Sequence, residues 1–491
     1  MPLVPLALPP GVYRNGTDMQ SAGRWRDASL VRWTDGTMQP VGGWLTRVSM
    51  TDQPLRGALA WRDLAGDRWF AAGSFEGLFV ASASNTVTEI TPTSFVDGEK
   101  DAAVNIGYSG GFYGTGAYGI TRPDTGNYLP ATTWTLDNWG EYLVACADSD
   151  GRLVEWQLNT ANDAVAITNA PIDCAALMVT EERFLFALGA GGNFRKVQWS
   201  DREDNTTWTP LATNEAGDIE LQTSGQIMLG IKTRGQALIL TDQDAHTATY
   251  QGPPFVYGFE RVGSSCGAVS RLCAAAVDAG VFWMGTRTFH NYSGGAVRDV
   301  PCDVADYVFS KINRTQISKV AAVANARFSE IWWFYPSESS IENDSYVVFN
   351  YKENHWATGM LARTSGVDGG VFSTPIWMTP AGSAINHEIG NQTDGVAPYA
   401  ESGPVQIGAG DNVAVCTMLI PDEKTQGEVT TTFKTRFHPN DTDRSYGPYS
   451  MANPTDVRFT GRQVAMRVTG TLNADWRWGV PRLEAAPGGR R

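Results

Sequence analysis

Few of the residue types that carry chemistry stand at working distances from one another in this chain. Five histidines occur, His246, His290, His355, His387 and His438. No two have the spacing of metal ligands, and HExxH is absent. His387-Glu388 reads as a loop dipeptide. Gly114, Gly116 and Gly119 match GxGxxG letter for letter. The dinucleotide-binding mechanism, however, needs a strand before that motif and a helix N-terminus after it. Pro123 and Pro130 follow and oppose a long helix. The stretch reads instead as a mobile Gly/Tyr-rich loop, with Tyr108, Phe112, Tyr113 and Tyr118 as candidate contact residues, open to protease within 105–120. Neither a GxSxG elbow nor a Walker loop is present. Glu181-Glu182 read as solvated turn residues. No catalytic, cofactor-binding or metal-ligating residue is assigned, no cofactor is expected, and the expectation is a protein that is not an enzyme.

Composition narrows the class further. The 491 residues carry 38 Lys+Arg against 52 Asp+Glu, a formal charge of −14. That balance argues against gripping nucleic-acid phosphates for affinity. An apolar fraction of 42% is too high for a disordered chain. The six cysteines form no CxxC pair, so they read as small buried hydrophobes of a protein made in a reducing cytosol. The start, MPLVPLALPPGV, is apolar but holds four prolines and no early Lys or Arg, which does not fit a signal peptide. No run of 18 apolar residues suggests a transmembrane helix. Residues 1–24 are expected to be either a floppy terminus or an extended arm on a neighbouring subunit. In the second case Leu3, Val4, Leu6 and Leu8 are candidate subunit-interface residues.

Short apolar runs separated by Gly, Asp, Asn and Pro dominate the rest. One kind recurs: RWFAAG at Trp69, EYLVAC at Tyr142, RFLFAL at Phe184, QALILT at Ala237, VFWMG at Val281, IWWFY at Ile331 and IWM at Ile376. Successive spacings are 73, 42, 53, 44, 50 and 45. After the first, these fit the blade length of about 40–50 residues in β-propellers. Further strands follow each run and often end in proline, at Pro92, Pro171, Pro210 and Pro301. Proline lacks the N–H of a central strand and suits the end of an outer one. The runs are continuously apolar, as an inner strand between neighbouring blades would be. The expected fold is all-β: a β-propeller of six to eight blades, about seven, over 25–403. An insertion lies at about 93–133, and a helix over about 303–312 is capped by Asp303. Trp25, Trp33 and Trp44 read as blade core or as subunit-interface residues.

Sialidase propellers carry SxDxGxTW boxes. Neither Ser149-Asp150-Gly151 with Trp156 nor Ser200 with Asp204 and Trp208 keeps that spacing. The first reads better as a hairpin turn. From about 404 the pattern changes to strict alternation. Val429, Thr431, Phe433, Thr435 and Phe437 face one way; Val464, Met466 and Val468 repeat the rule, and so do Trp476, Trp478 and Val480. Period-two strands with one polar face predict a C-terminal antiparallel β-sandwich-like module over 404–485, with a flexible tail at 486–491.

Several stretches carry a resemblance. They are PGVYRNGTDMQSAGRWRDASLVRWTDGTMQPVGGW at the start, ERFLFALGAGGNFRKVQWSDREDNTTWTP and EIWWFYPSESSIENDSYVVFNYKENHW within, and GRQVAMRVTGTLNADWRWGVPRLEAAPGGRR at the end. The chain resembles the tail nozzle or tail hub (packaged-DNA-stabilisation) proteins of short-tailed bacteriophages. That resemblance implies a structural virion protein, made in the host cytoplasm and assembled as a homo-hexamer below the portal and adaptor. It further implies neighbouring tail fibre or spike proteins, host-surface contact, and viral DNA that passes through without specific binding. An acidic ring would repel phosphates and let DNA slide. Removing residues 2–11 is then expected to weaken ring assembly more than folding. The alternatives are a receptor- or glycan-binding propeller at the tail periphery and a glycan-degrading propeller.

Overall fold

The computed structural model describes residues 3–104, 128–406 and 412–488. Seven four-stranded antiparallel sheets follow one another along the chain. Six are simple meanders, over 58–89, 134–166, 176–220, 227–264, 274–300 and 321–360. The seventh takes three strands from 365–387 and its outermost strand, Trp44–Ser49, from near the N-terminus. Ser383 pairs with Ser49 and His387 with Trp44. The first strands of the seven sheets touch in turn, and the seventh touches the first, so the ring closes. This is a seven-bladed β-propeller, latched by an early strand on the last blade.

The recurring apolar runs are the second strands of the blades, not the innermost ones. Leu185–Leu188 and Glu330–Tyr335 are buried at every position. A second strand has hydrogen-bonded neighbours on both edges and a blade against each face, so all its side chains are covered. Some of the first strands are short and rich in small residues instead, as in Ala274–Val277 and Ala321–Asn325. Elsewhere the first strands carry larger residues, and Trp134, Met178, Leu229 and Ile231 line the axial channel. Indoles tie blade to blade. Trp134 Nε1 donates to the Ser74 carbonyl (2.7 Å), Trp61 Nε1 to Glu141 (2.9 Å) and Trp333 Nε1 to Cys273 (2.9 Å).

Two further sheets form the sandwich. One holds Leu3–Pro5, Arg482–Pro487, Ala414–Ile420 and Thr455–Gly461. The other holds Trp25–Ser29, Tyr399–Ser402, Gln463–Gly470, Val429–Arg436 and Arg444–Ser450, with Val405–Gln406 alongside. Val429, Thr431, Phe433 and Thr435 point inward as the alternation predicted. Trp476 and Trp478 are buried too, but their segment is no strand. Trp478 is held by a two-way backbone bridge to Met38, and Val480 is exposed. The module also draws in two N-terminal strands. Leu3–Pro5 pairs with Arg482–Pro487 of its own chain, and Trp25–Ser29 pairs with Tyr399–Ser402 rather than with a blade.

The helix is Ala305–Lys311. Its N-cap is Val304, without a side-chain cap. The Asp303 carboxylate accepts from Arg24 Nη2 instead (2.7 Å). Within the insertion, Ala103–Val104 pairs with Tyr128–Leu129. The GxGxxG glycines, Tyr108, Phe112, Tyr113, Tyr118 and the expected protease site lie outside the described residues. No helix of the described residues is long and apolar enough to cross a membrane.

Candidate functional site

One end of the propeller axis gathers the segments that lead into the first strands and the loops between second and third strands. Cationic residues stand just before the first strands of four consecutive blades: Arg271, Lys319, Arg363 and Arg56. Each is taken out of water. Side-chain exposure is 0% for Lys319 and 1% for Arg56. A buried charge survives only with partners, and they come from loops of other blades as well as from the residue's own blade. Lys319 Nζ lies 2.5 Å from Asp101 and donates to the Ile341 carbonyl (2.8 Å). Arg56 Nη2 meets Glu342 at 2.5 Å. Burial still pulls the Lys319 ammonium down, against the pull of Glu342 and Asp101.

Arg271 Nη1 meets Asp148 Oδ2 at 2.9 Å. Asp148 also accepts from the Thr133 amide (3.0 Å) and hydroxyl (3.2 Å). Burial raises the Asp148 carboxyl, and Arg271 opposes that shift. Above this pair opens a cavity of about 670 Å³, walled by apolar Met228, Val269 and Phe194 and rimmed by Asp97, Glu99 and Asp242. Below it the axial channel, about 290 Å³, is lined by first strands of all seven blades. Arg271 borders both spaces. The arrangement can hold a polar ligand at a fixed charge pair, in a volume typical of small-molecule sites.

The residues singled out in the sequence lie elsewhere. Trp25, Trp33, Trp44 and Leu6 are buried within the chain, whereas Leu3 is exposed and Val4 and Leu8 are half-buried. His387 accepts from Arg363 Nε (2.9 Å) and stacks on Trp377 at 4.0 Å. Burial and Arg363 hold its imidazole well below the usual histidine range, and burial lowers Arg363 to about 10. Glu388 binds Arg32 rather than a metal. Among the described residues no group of three His, Cys, Asp or Glu side chains could hold an ion. Asp150 pairs with Arg152 (2.7 Å) in a turn where Gly151 has φ +66°. Glu182 accepts from the Tyr257 hydroxyl (3.1 Å). All six cysteines are free. Sequence reasoning missed Arg271, Lys319, Arg56 and Arg363. The available signal was a basic residue two or three places before four of the first strands.

No protein-family model matches the chain, and no curated protein matches it. Solved structures do. Virginiamycin B lyase from Staphylococcus aureus is 8% identical, with 70% of this chain and 97% of that one covered and a TM-score of 0.43. YCF48 from Cyanidioschyzon merolae is 7% identical, with coverage of 70% and 98% and a TM-score of 0.40. PorZ, a surface component of the type-IX secretion system of Porphyromonas gingivalis, is 9% identical, with coverage of 77% and 44% and a TM-score of 0.39. The expectation that the chain is not an enzyme is corrected on this finding, because the matched structures include an enzyme, the lyase. The likeness brings no substrate and no catalytic residue with it. The chain is a seven-bladed β-propeller joined to a β-sandwich, with a charge-floored cavity at one end of the propeller axis.

Proposed function

We propose that the chain is a structural protein of a short-tailed phage tail, one subunit of a ring that extends the DNA exit path below the portal and adaptor. The reading rests on the resemblance of its opening and closing stretches to tail nozzle proteins. The observation that carries it furthest is a division of charge between the two modules. Residues 1–403 hold 27 basic and 43 acidic side chains, and residues 404–491 hold 11 and 9. Residues 1–403, which include all seven blades, are therefore at −16 and residues 404–491, which hold most of the sandwich, at +2. An acidic body repeated around a ring repels phosphates, while a weakly basic module can meet an acidic neighbour. The propeller's own channel is far too small for a duplex and is bordered by Arg271. The DNA path in this reading therefore runs between copies and not through a blade ring.

Particle imaging of the purified full chain tests it. A six-fold ring with a wide central channel is the expected outcome, and ring formation should weaken as salt screens the charges. A monomer at all concentrations and ionic strengths, in the presence of adaptor and portal, overturns the reading.

A further inference from the structure

We infer that the cavity at the propeller mouth is a binding site for an organic monocation, a quaternary ammonium on an apolar body. The balance of charge sets the sign of the occupant. Asp97, Glu99, Asp148 and Asp242 line the cavity against one cation, Arg271, so the lining stands at 1 − 4 = −3. Arg271 is spent on Asp148 at 2.9 Å. Asp148 is occupied in turn, since the Thr133 amide and hydroxyl donate to it as well. Asp97, Glu99 and Asp242 are left to set the field at the opening. The nearby cations Lys100, Arg195 and Arg287 do not line the cavity, and Arg195 is taken by Glu220.

The walls set the kind of cation. Met228 and Val269 are apolar, and two aromatic rings join them: Phe194 from the third blade and Tyr128 from the insertion. These rings are 60% and 42% exposed. Aromatic faces attract cations, most of all one whose water is easily shed. A primary ammonium needs close hydrogen-bond acceptors, and the buried carboxylate, Asp148, is already occupied. Asp97 and Glu99 are exposed and Asp242 is half-exposed, so they act through charge at a distance. Nor do they form, among the described residues, a group that could chelate a bare metal ion. A quaternary ammonium donates no hydrogen bond and spreads its charge over methyl groups. It therefore suits apolar and aromatic walls under an acidic rim. The site lies within one chain, so the inference stands apart from the ring reading and fails separately from it.

The test is titration calorimetry on the full chain at low salt. The probes are benzyltrimethylammonium and choline. Neopentyl carbinol serves as the neutral isostere of choline, phenylacetate as an anion and magnesium as a bare cation. Benzyltrimethylammonium should bind saturably, roughly tenfold or more tighter than phenylacetate, and choline should exceed its isostere by a similar factor. Magnesium chloride should displace the ammonium no better than sodium chloride of equal ionic strength. Phe194→Ala should weaken binding several-fold, and Asp97→Asn combined with Glu99→Gln should weaken it roughly tenfold. All three side chains are exposed, so the thermal midpoint should not move. No binding of either ammonium overturns the inference, as does equal binding of the isostere or of phenylacetate. Displacement by magnesium at matched ionic strength, or binding that survives both variants, overturns it too.

Discussion

Arg32 Nη2 lies 2.8 Å from Glu330 and 2.6 Å from Glu388, with all three side chains at most 4% exposed. Arg32 belongs to the hairpin strand Val31–Thr34, Glu330 to the sixth blade, and Glu388 follows the last strand of the seventh. Asn325 Nδ2 also donates to Glu388 (2.9 Å) and Trp332 Nε1 to Glu330 (3.0 Å). One guanidinium thus ties the N-terminal hairpin to the two blades next to the ring closure. Removing it leaves two carboxylates buried side by side. Arg32→Met should cost about 3–5 kcal/mol in equilibrium unfolding. Arg32→Lys should cost less, because it keeps the charge and loses only the bidentate geometry. Burial already raises the Glu330 carboxyl while Arg32 holds it back. A raised carboxyl pKa means stability that is present at low pH and lost as pH rises. The Met variant's deficit should therefore grow from pH 5 to pH 8. A deficit independent of pH would show that the carboxylates are not what the arginine compensates.

The packing between the first two blades is equally direct. A Cβ on Gly73 would stand 2.3 Å from the Trp134 ring, and one on Gly57 would stand 2.3 Å from the Trp134 carbonyl. Trp134 is itself 1% exposed and bonded through Nε1 to Ser74, so it cannot turn aside without losing that bond. Gly73→Ala should destabilise by about 1–3 kcal/mol through overpacking. Combining it with Trp134→Phe should recover part of that loss, because the smaller ring leaves room. A double variant whose cost is the plain sum of the two single costs would refute the contact.

The N-terminal segment also behaves differently from what its sequence suggests. Leu3, Val4 and Pro5 pair with Glu484, Leu483 and Arg482, and the Leu6 amide donates to the Pro481 carbonyl (2.9 Å). Leu6 is 7% exposed. Deleting residues 2–8 should therefore destabilise the sandwich of the isolated subunit. The lost Leu6 side chain alone is worth about 2–5 kcal/mol. Limited proteolysis or hydrogen exchange should show the loss confined to 414–487, with the blades unaffected. Unchanged protection of Arg482–Pro487 would mean the strand is dispensable in one chain.

What the sequence made legible follows from these packing rules. Ile331–Tyr335 and its counterparts stood out because a second strand is covered on both faces and reads as an unbroken apolar run. Val429–Thr435 stood out because a sandwich strand is covered on one face and alternates. Several first strands were hidden, since stretches such as Ala274–Val277 are short and made of small residues. With them was hidden the mouth, where Arg271 meets an aspartate 123 positions earlier. No local spacing marks such a pair. Trp25–Ser29 resembled its tryptophan-rich surroundings and gave no sign of a partner at least 370 positions on, at Tyr399–Ser402.

Acid should weaken the fold through its histidines. Burial lowers His290, His355 and His387, each from an ordinary value of 6.5. His290 is partly supported by Asp299 at 2.8 Å and His355 by Glu353 at 3.8 Å, whereas His387 faces the cation of Arg363. A base whose folded pKa is depressed binds fewer protons folded than unfolded, so stability rises with pH. The contribution is complete well above 6.5 and is lost as pH falls through that value. The raised carboxyls of Asp148, Asp368 and Glu330 act in the opposite sense. Arg271 and Arg32 restrain two of them, so the histidines should dominate near neutrality. The urea midpoint should fall between pH 7.5 and pH 5.5. His387→Gln should lower the midpoint at pH 7.5, because it disturbs the stack on Trp377, yet reduce its dependence on pH. A midpoint that stays level or rises over that interval would mean the histidines are not the groups that titrate on unfolding.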